Sequence, residues 1–132
     1  MKYTKVKRRG SMKYRESEEM YLETILLLKK KKACVHSIDI ANELEYSRPS
    51  VSRAVGLLQK SGYITMAQSG EIELTDSGFR KAMDIYERHR VITEVLVKIG
   101  ANEEVAEENA CRIEHVISEE LMDTLKVFVE KK

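Results

Sequence analysis

A thiol, a carboxylate and an imidazole stand at Cys111, Glu114 and His115. Positions i, i+3 and i+4 of a helix share one face, so these side chains would form a stripe of metal-ligating types. Glu107 extends the stripe one turn earlier, whereas Arg112 and Ile113 fall on other faces. A thiolate and an imidazole suit Fe(II), Zn(II) or Co(II) better than Mg(II) or Ca(II). Other readings of the same residues stay open at this level. A helical cysteine is often a small buried hydrophobe, Glu114 reads equally as a solvated charge, and Cys111 could act as a redox thiol instead of a ligand.

The surrounding elements must deliver that stripe. From Ser17, a candidate cap followed by Glu18 and Glu19, the residues Met20, Tyr21, Ile25 and Leu28 recur at helical spacing, and Lys29 to Lys32 close the helix at its negative end. Two short helical patterns follow at helix-turn-helix spacing. The first starts near Ser37, a candidate N-cap, and runs through Ile40, Ala41 and Leu44 to a turn at Glu45-Tyr46-Ser47. In the second, Pro49 occupies the first turn, where its missing N–H costs nothing, and Val51, Val55 and Leu58 give the buried face. Ser47, Arg48, Ser50, Ser52 and Arg53 are left on or near the outer face, where a recognition helix meets the major groove and its flanking phosphates.

Gly62 ends that helix. Tyr63–Met66 and Glu71–Leu74 read as two strands joined around Gln68-Ser69-Gly70, the hairpin of a winged helix. This wing offers Glu71 and Glu73 and no Lys or Arg, so it is expected to buttress the recognition helix more than to grip DNA. Thr75 can cap a long helix over about 76–98 with Ile85, Ile92, Val95 and Leu96 at helical spacing, and Gly100 stops it. Asn102 then caps a helix carrying Val105, Cys111, Ile113 and Ile117, and Ser118 opens a last helix with Leu121, Leu125 and Phe128. The last two helices carry more apolar surface than a short chain easily buries, which points to a homodimer interface at Leu121, Leu125 and Phe128; internal core packing is the other reading.

Composition bounds the function. The 132 residues, 42% hydrophobic and 34% charged with one proline, describe a helix-rich globular chain. No apolar run approaches the roughly 18 residues of a membrane helix, no secretory signal is evident, and two cysteines fit a reducing compartment, so a cytoplasmic protein without membrane partners is expected. The net charge of +1 conceals +7 over residues 1–65 and −6 over residues 66–132. A basic half joined to an acidic half fits a nucleic-acid-binding domain followed by a regulatory one, although two solvated surfaces of different sign would look the same. Residues 1–15 hold Lys2, Lys5, Lys7, Arg8, Arg9, Lys13 and Arg15 without an acid, an arm able to reach phosphates; Gly10-Ser11-Met12 leaves open whether residues 1–12 are native. There is no HExxH, phosphate loop or nucleophile elbow, and neither an enzyme nor a small-molecule substrate is expected. Cys34 and His36 match no motif.

With these elements in order, the chain resembles the diphtheria-toxin-repressor family of metal-dependent transcriptional regulators, including its manganese-responsive branch. The resemblance covers about residues 16–130. It is carried by Ser17-Glu18-Glu19-Met20-Tyr21-Leu22-Glu23-Thr24-Ile25 as the first helix, Ser47-Arg48-Pro49-Ser50-Val51-Ser52-Arg53 as the start of the recognition helix, and Ala110-Cys111-Arg112-Ile113-Glu114-His115-Val116-Ile117-Ser118 as the metal-binding helix. It implies a mainly α fold, with a winged helix-turn-helix domain over 13–75 and a helical metal-binding and dimerisation domain over 76–132. It further implies that Met20, Cys111, Glu114 and His115 form one metal site and that His89 belongs to a second, neighbouring one. Read alone, His89 between Arg88 and Arg90 is a surface histidine in a basic cluster. Thr93 and Glu107 stand where iron-responsive members usually carry Glu and His, so the second site is altered or lost. Met20 and Cys111 are the iron-type pair, while Glu23 is the residue the manganese branch uses: the set is a hybrid.

The implied function is a homodimeric repressor on a double-stranded, palindromic operator, with Fe(II) as the favoured co-repressor, Mn(II) as the other candidate and further divalent transition metals competing in vitro. Arg53 would read guanine, Ser47 and Pro49 would touch thymine methyls, and Arg48 would hold phosphate.

Overall fold

Acidic residues at one end and basic ones at the other set the direction of helix α1, Glu18–Lys31: Glu18 and Glu19 face the positive end of its dipole and Lys29 to Lys31 the negative end. The structure, a computed structural model, describes residues 18–131; the basic segment 1–15 and the cap expected at Ser17 lie outside the described residues. Helix α2, Ser37–Leu44, begins one residue earlier than expected. His36 is its N-cap, and the His36 N–H donates to Asp39 Oδ2 at 2.8 Å, which puts Ser37 inside the first turn. Glu45 ends α2 in the left-handed region, at φ 59°.

Helix α3, Arg48–Lys60, starts from Ser47, whose hydroxyl accepts from the Ser50 N–H at 3.2 Å, with Pro49 in the first turn. Its buried face is Val51, Val55 and Leu58, and full burial of such a side chain contributes about 1.5–3 kcal/mol. Strands β1, Ile64–Met66, and β2, Ile72–Leu74, pair antiparallel with Ile64 opposite Leu74 and Met66 opposite Ile72. Each begins one residue later than the sequence pattern predicts. The Ile72 N–H donates to the Val35 carbonyl at 2.8 Å, tying the hairpin to the segment between α1 and α2.

Helix α4 spans Asp76–Lys98. The Thr75 hydroxyl donates to the Gly62 carbonyl at 2.7 Å and accepts from the Gly78 N–H at 3.1 Å, so one side chain joins the end of α3 to the start of α4. Helices α5, Glu103–Ile113, and α6, Glu119–Glu130, are capped by Asn102 and Ser118, which accept from the Val105 and Leu121 N–H groups at 2.9 and 3.1 Å.

The described residues divide into two compact units, 18–83 and 84–131, parting between Met83 and Asp84. The sequence pattern sets the boundary at the start of α4; in the structure the first turns of that helix belong to the earlier unit, where Lys81 lies over the Tyr63 ring and against Glu18. In the first unit α1, α2, α3 and the hairpin form the winged helix-turn-helix. In the second, Val91, Ile92, Val95, Ala110 and Met122 form the core, with Leu96, Ile113, Ile117, Leu125 and Val129 packed against it. Two expectations for α5 are corrected here. Val105 is exposed and the buried face runs through Ala106, Glu107, Ala110 and Cys111, because two alanines carry it. The helix also stops at Ile113 and does not continue to Ile117.

Candidate metal centre

Within the second unit, α4 supplies His89 and the end of α5 supplies Cys111, Glu114 and His115. His89 is 2% exposed and Glu114 1%. His89 Nδ1 lies 2.9 Å from Glu114 Oε1 and 3.9 Å from Cys111 Sγ, and His115 Nε2 lies 3.3 Å from Glu114 Oε2. Burial works against the charged form of Glu114, but hydrogen bonds to His115 and His89 outweigh it and hold the carboxyl below its ordinary range.

The residues fit a divalent ion on two grounds. Donors about 2.0–2.3 Å from a common ion stand about 3–4 Å from one another, and the pairs His89–Glu114, Glu114–His115 and His89–Cys111 each lie at or near that spacing, taken pair by pair. The donors are also of mixed softness: one thiol, two imidazoles and one carboxylate, a set suited to a transition metal.

The geometry revises two expectations. Glu114 is the C-cap of α5 and His115 lies just beyond it, so the i, i+3, i+4 stripe is carried by a helix end and not by its interior. The Glu114 N–H still bonds to the Ala110 carbonyl at 2.9 Å, which keeps Cys111, Glu114 and His115 together. His89, which read alone is a surface histidine, is buried; it contacts Glu114 and approaches Cys111. Of the remaining candidates, Glu107 is buried on α5, and Thr93 is buried with no hydrogen-bond partner for its hydroxyl among the described residues.

In the first unit, Met20 and Glu23 lie three residues apart on α1 and both are buried. Met20 Sδ accepts from the Tyr46 hydroxyl at 3.8 Å, a contact nothing in the sequence pattern announces. Arg48, Pro49, Ser52 and Arg53 are exposed on α3 and Ser50 is half-buried. Ser47 has a capping role, with its hydroxyl engaged by the Ser50 N–H and Ser50 Oγ. Beside them a groove of about 360 Å³ is lined by His36, Ser37, Arg48, Ser52, Met66 and Gly70 among others, so His36 borders the recognition helix although no motif contains it. Lys29 pairs with Glu73 at 2.8 Å and with Glu71 at 3.7 Å, so the acidic hairpin is braced against α1. Among the described residues no helix is long and apolar enough to cross a membrane.

Two family models match the chain: the iron dependent repressor N-terminal DNA binding domain over residues 13–71, and the iron dependent repressor metal binding and dimerisation domain over residues 75–131. A helix-turn-helix transcriptional regulator of Methanocaldococcus jannaschii is 33% identical over 118 residues, covering 88% of this chain and 94% of that protein. The chain belongs to the iron-dependent repressor family. The iron-dependent repressor IdeR of Mycobacterium leprae is 36% identical over 107 residues, 80% of this chain and 46% of IdeR. A manganese-dependent transcriptional repressor in complex with manganese superposes with a TM-score of 0.79 at 25% identity, covering 86% of this chain and 52% of that one. The chain therefore spans about half the length of these last two relatives. Iron-dependent repressors are metal-dependent, DNA-binding transcriptional regulators, and the mainly helical fold with a winged helix-turn-helix is that of the family.

Proposed function

We propose that this chain is a metal-activated transcriptional repressor that binds a palindromic double-stranded operator as a homodimer, with Fe(II) favoured over Mn(II). The observation that carries the reading is the buried Glu114 carboxylate, met by His89 at 2.9 Å and by His115 at 3.3 Å, with Cys111 Sγ 3.9 Å from the same His89 nitrogen. A bound ion would supply positive charge and fixed ligand angles. Cys111 would give a thiolate, Glu114 a carboxylate and His89 and His115 neutral imidazoles; the family resemblance adds Met20 and Glu23 from α1. The two sulfur donors, Met20 and Cys111, favour Fe(II) over Mn(II) by ligand preference, while Zn(II) and Cu(II) would compete in vitro on affinity alone.

A dimer reads two half-sites only when its recognition helices stand at groove spacing. Ligation of Met20 together with Cys111, Glu114 and His115 would restrict the arrangements open to the DNA-binding half, with a coupling of about 1–3 kcal/mol per metal site. Arg53, Pro49, Ser47 and Arg48 are exposed; Arg53 would read guanine, Pro49 and Ser47 would touch thymine methyls, and Arg48 would hold phosphate. For the dimer, α6 leaves Leu121 49%, Val127 56% and Phe128 44% exposed, an apolar face suited to a second copy; Leu125 packs partly on the core of its own unit. Cys111 is 6% exposed, which disfavours the alternative of a redox-sensing thiol, since such thiols need solvent access.

Fluorescence anisotropy of DNA from the region upstream of this protein's gene tests the reading, first with chelated protein and then with Fe(II), Mn(II) or Zn(II) restored without oxygen. Binding that requires metal, most readily Fe(II), is the expected outcome. Equal binding with and without chelator would refute metal activation and leave a constitutive winged helix. Sedimentation of the chain and of a Leu121→Glu, Phe128→Glu variant checks the dimer, which the variant should lose.

A further inference from the structure

Arg88 precedes His89 on α4, and its side chain is only 14% exposed. Nη1 donates a 2.9 Å hydrogen bond to the backbone carbonyl of Glu114. Nε lies 3.3 Å from Asp84 Oδ2, one turn back on α4, and Nη2 lies 3.5 Å from Glu119 Oε2 in the first turn of α6. Glu114 is the C-cap of α5, so its carbonyl belongs to the set that a helix cannot satisfy from its own N–H groups. A cation at that end also opposes the partial negative charge of the helix terminus.

One side chain therefore meets three elements at the segment that carries two of the candidate donors, and it springs from the residue next to a third. We propose that Arg88 is a positioning residue for the metal centre: by holding the Glu114 carbonyl it sets the Glu114 carboxylate and the His115 ring in their ligating arrangement before an ion arrives. This rests on the metal reading given above. Arg88 itself donates nothing to a metal, since a guanidinium stays protonated and has no acceptor. Its effect is on order. Beyond Ile113 the regular helix is over; the Glu114 N–H is held by the Ala110 carbonyl at 2.9 Å, and the guanidinium holds the other side of that residue, its carbonyl. Residues that orient a metal ligand typically change affinity about 10–100-fold when removed. The apolar core of the unit is Val91, Ile92, Val95, Ala110 and Met122, with Leu96, Ile113, Ile117, Leu125 and Val129 packed against it.

Co(II) is the probe, added without oxygen to the full chain and to Arg88→Met and Arg88→Lys variants. Thiolate-to-cobalt charge transfer reports ligation by Cys111, and the ligand-field bands report coordination geometry. Arg88→Met is expected to bind Co(II) about 10–100-fold more weakly, with altered ligand-field bands, while its chelated form melts within a few degrees of the parent. Arg88→Lys should fall between, because an ammonium keeps the charge but cannot reach the three acceptors together. Parent affinity and spectrum in Arg88→Met would overturn the proposal. So would a chelated variant whose melting falls in step with its metal affinity and that Lys does not rescue, which would make Arg88 a general fold contact. If Arg88→Met does not fold, Arg88→Lys decides: weakened Co(II) binding with parent-like chelated melting supports the proposal, and unchanged binding overturns it. A parent chain that gives no thiolate–Co(II) band at all would instead remove the metal reading on which the proposal stands.

Discussion

Replacement of Glu114 by Gln separates a metal centre from a buried hydrogen-bond network. The carboxylate is 1% exposed, with its oxygens 2.9 Å from His89 Nδ1 and 3.3 Å from His115 Nε2. Gln is nearly isosteric, but its amide has one acceptor oxygen and one donor nitrogen, so one imidazole contact must exchange roles. Losing a hydrogen bond to a charged group costs about 1.5–3 kcal/mol, and removing a buried charge relieves a desolvation penalty of comparable size. These oppose, and the chelated variant should melt within about 5 °C of the parent, at about 3–5 °C per kcal/mol for a chain of this length. The metal response is where the two proteins part. An ion at a hundredfold its Kd stabilises the folded state by about 2.7 kcal/mol, a rise of about 10 °C on the same conversion. The neutral amide removes an anionic donor, and the rise at equal metal should fall below about 2 °C. Far-UV circular dichroism melts with chelator and with Co(II) give all four numbers. A variant that keeps the parent's full metal-induced rise would show that Glu114 serves the fold and not an ion.

Other expectations test the remaining parts. Arg53→Ala should relax discrimination by about 1–3 kcal/mol at one base pair per half-site, measured on an operator library; uniform weakening across all sequences would make Arg53 a phosphate contact. Lys32 and the His36 N–H hold the Asp39 carboxyl below its ordinary value of 3.8. A depressed folded-state value means this stabilisation is present above the unfolded value and is lost as pH falls through the folded one, so Asp39→Asn should flatten the acid limb of stability below pH about 4 in urea titrations. At Gly78 a β-carbon would press on the Tyr63 backbone; Gly78→Ala should destabilise by about 1–3 kcal/mol, and an unchanged urea midpoint would contradict that close approach.

The sequence carried much of this in its large apolar residues and its caps. Ile85, Ile92 and Val95 mark α4, and Thr75, Asn102 and Ser118 mark helix starts that the structure bears out. Where the pattern failed, the responsible groups were small or distant. The buried face of α5 is set by Ala106 and Ala110, which weigh little beside Val105 in a hydrophobic count. The start of α2 is set by a backbone N–H meeting Asp39, and Ser37 was the more conspicuous capping residue. At the metal centre the residue types and the adjacency of Cys111, Glu114 and His115 were legible, because the last bond of α5 keeps them together. The contact of His89 with Glu114 spans 25 residues and that of Arg88 with the Glu114 carbonyl 26; neither follows from spacing, since both depend on how α4 meets the end of α5.

The core of the second unit and its cluster of donors occupy the same helices without sharing side chains. On α4, Val91, Ile92 and Val95 belong to the apolar core while the buried His89 meets Glu114, and on α5 Ala110 belongs to the core while Glu114 and His115 stand past the last regular turn. Exchange of one donor for another thus leaves the apolar side chains of that core unchanged. On the metal reading proposed above, such a division of labour would let the donor set, and with it the ion sensed, diverge by small steps while the apolar core is inherited intact.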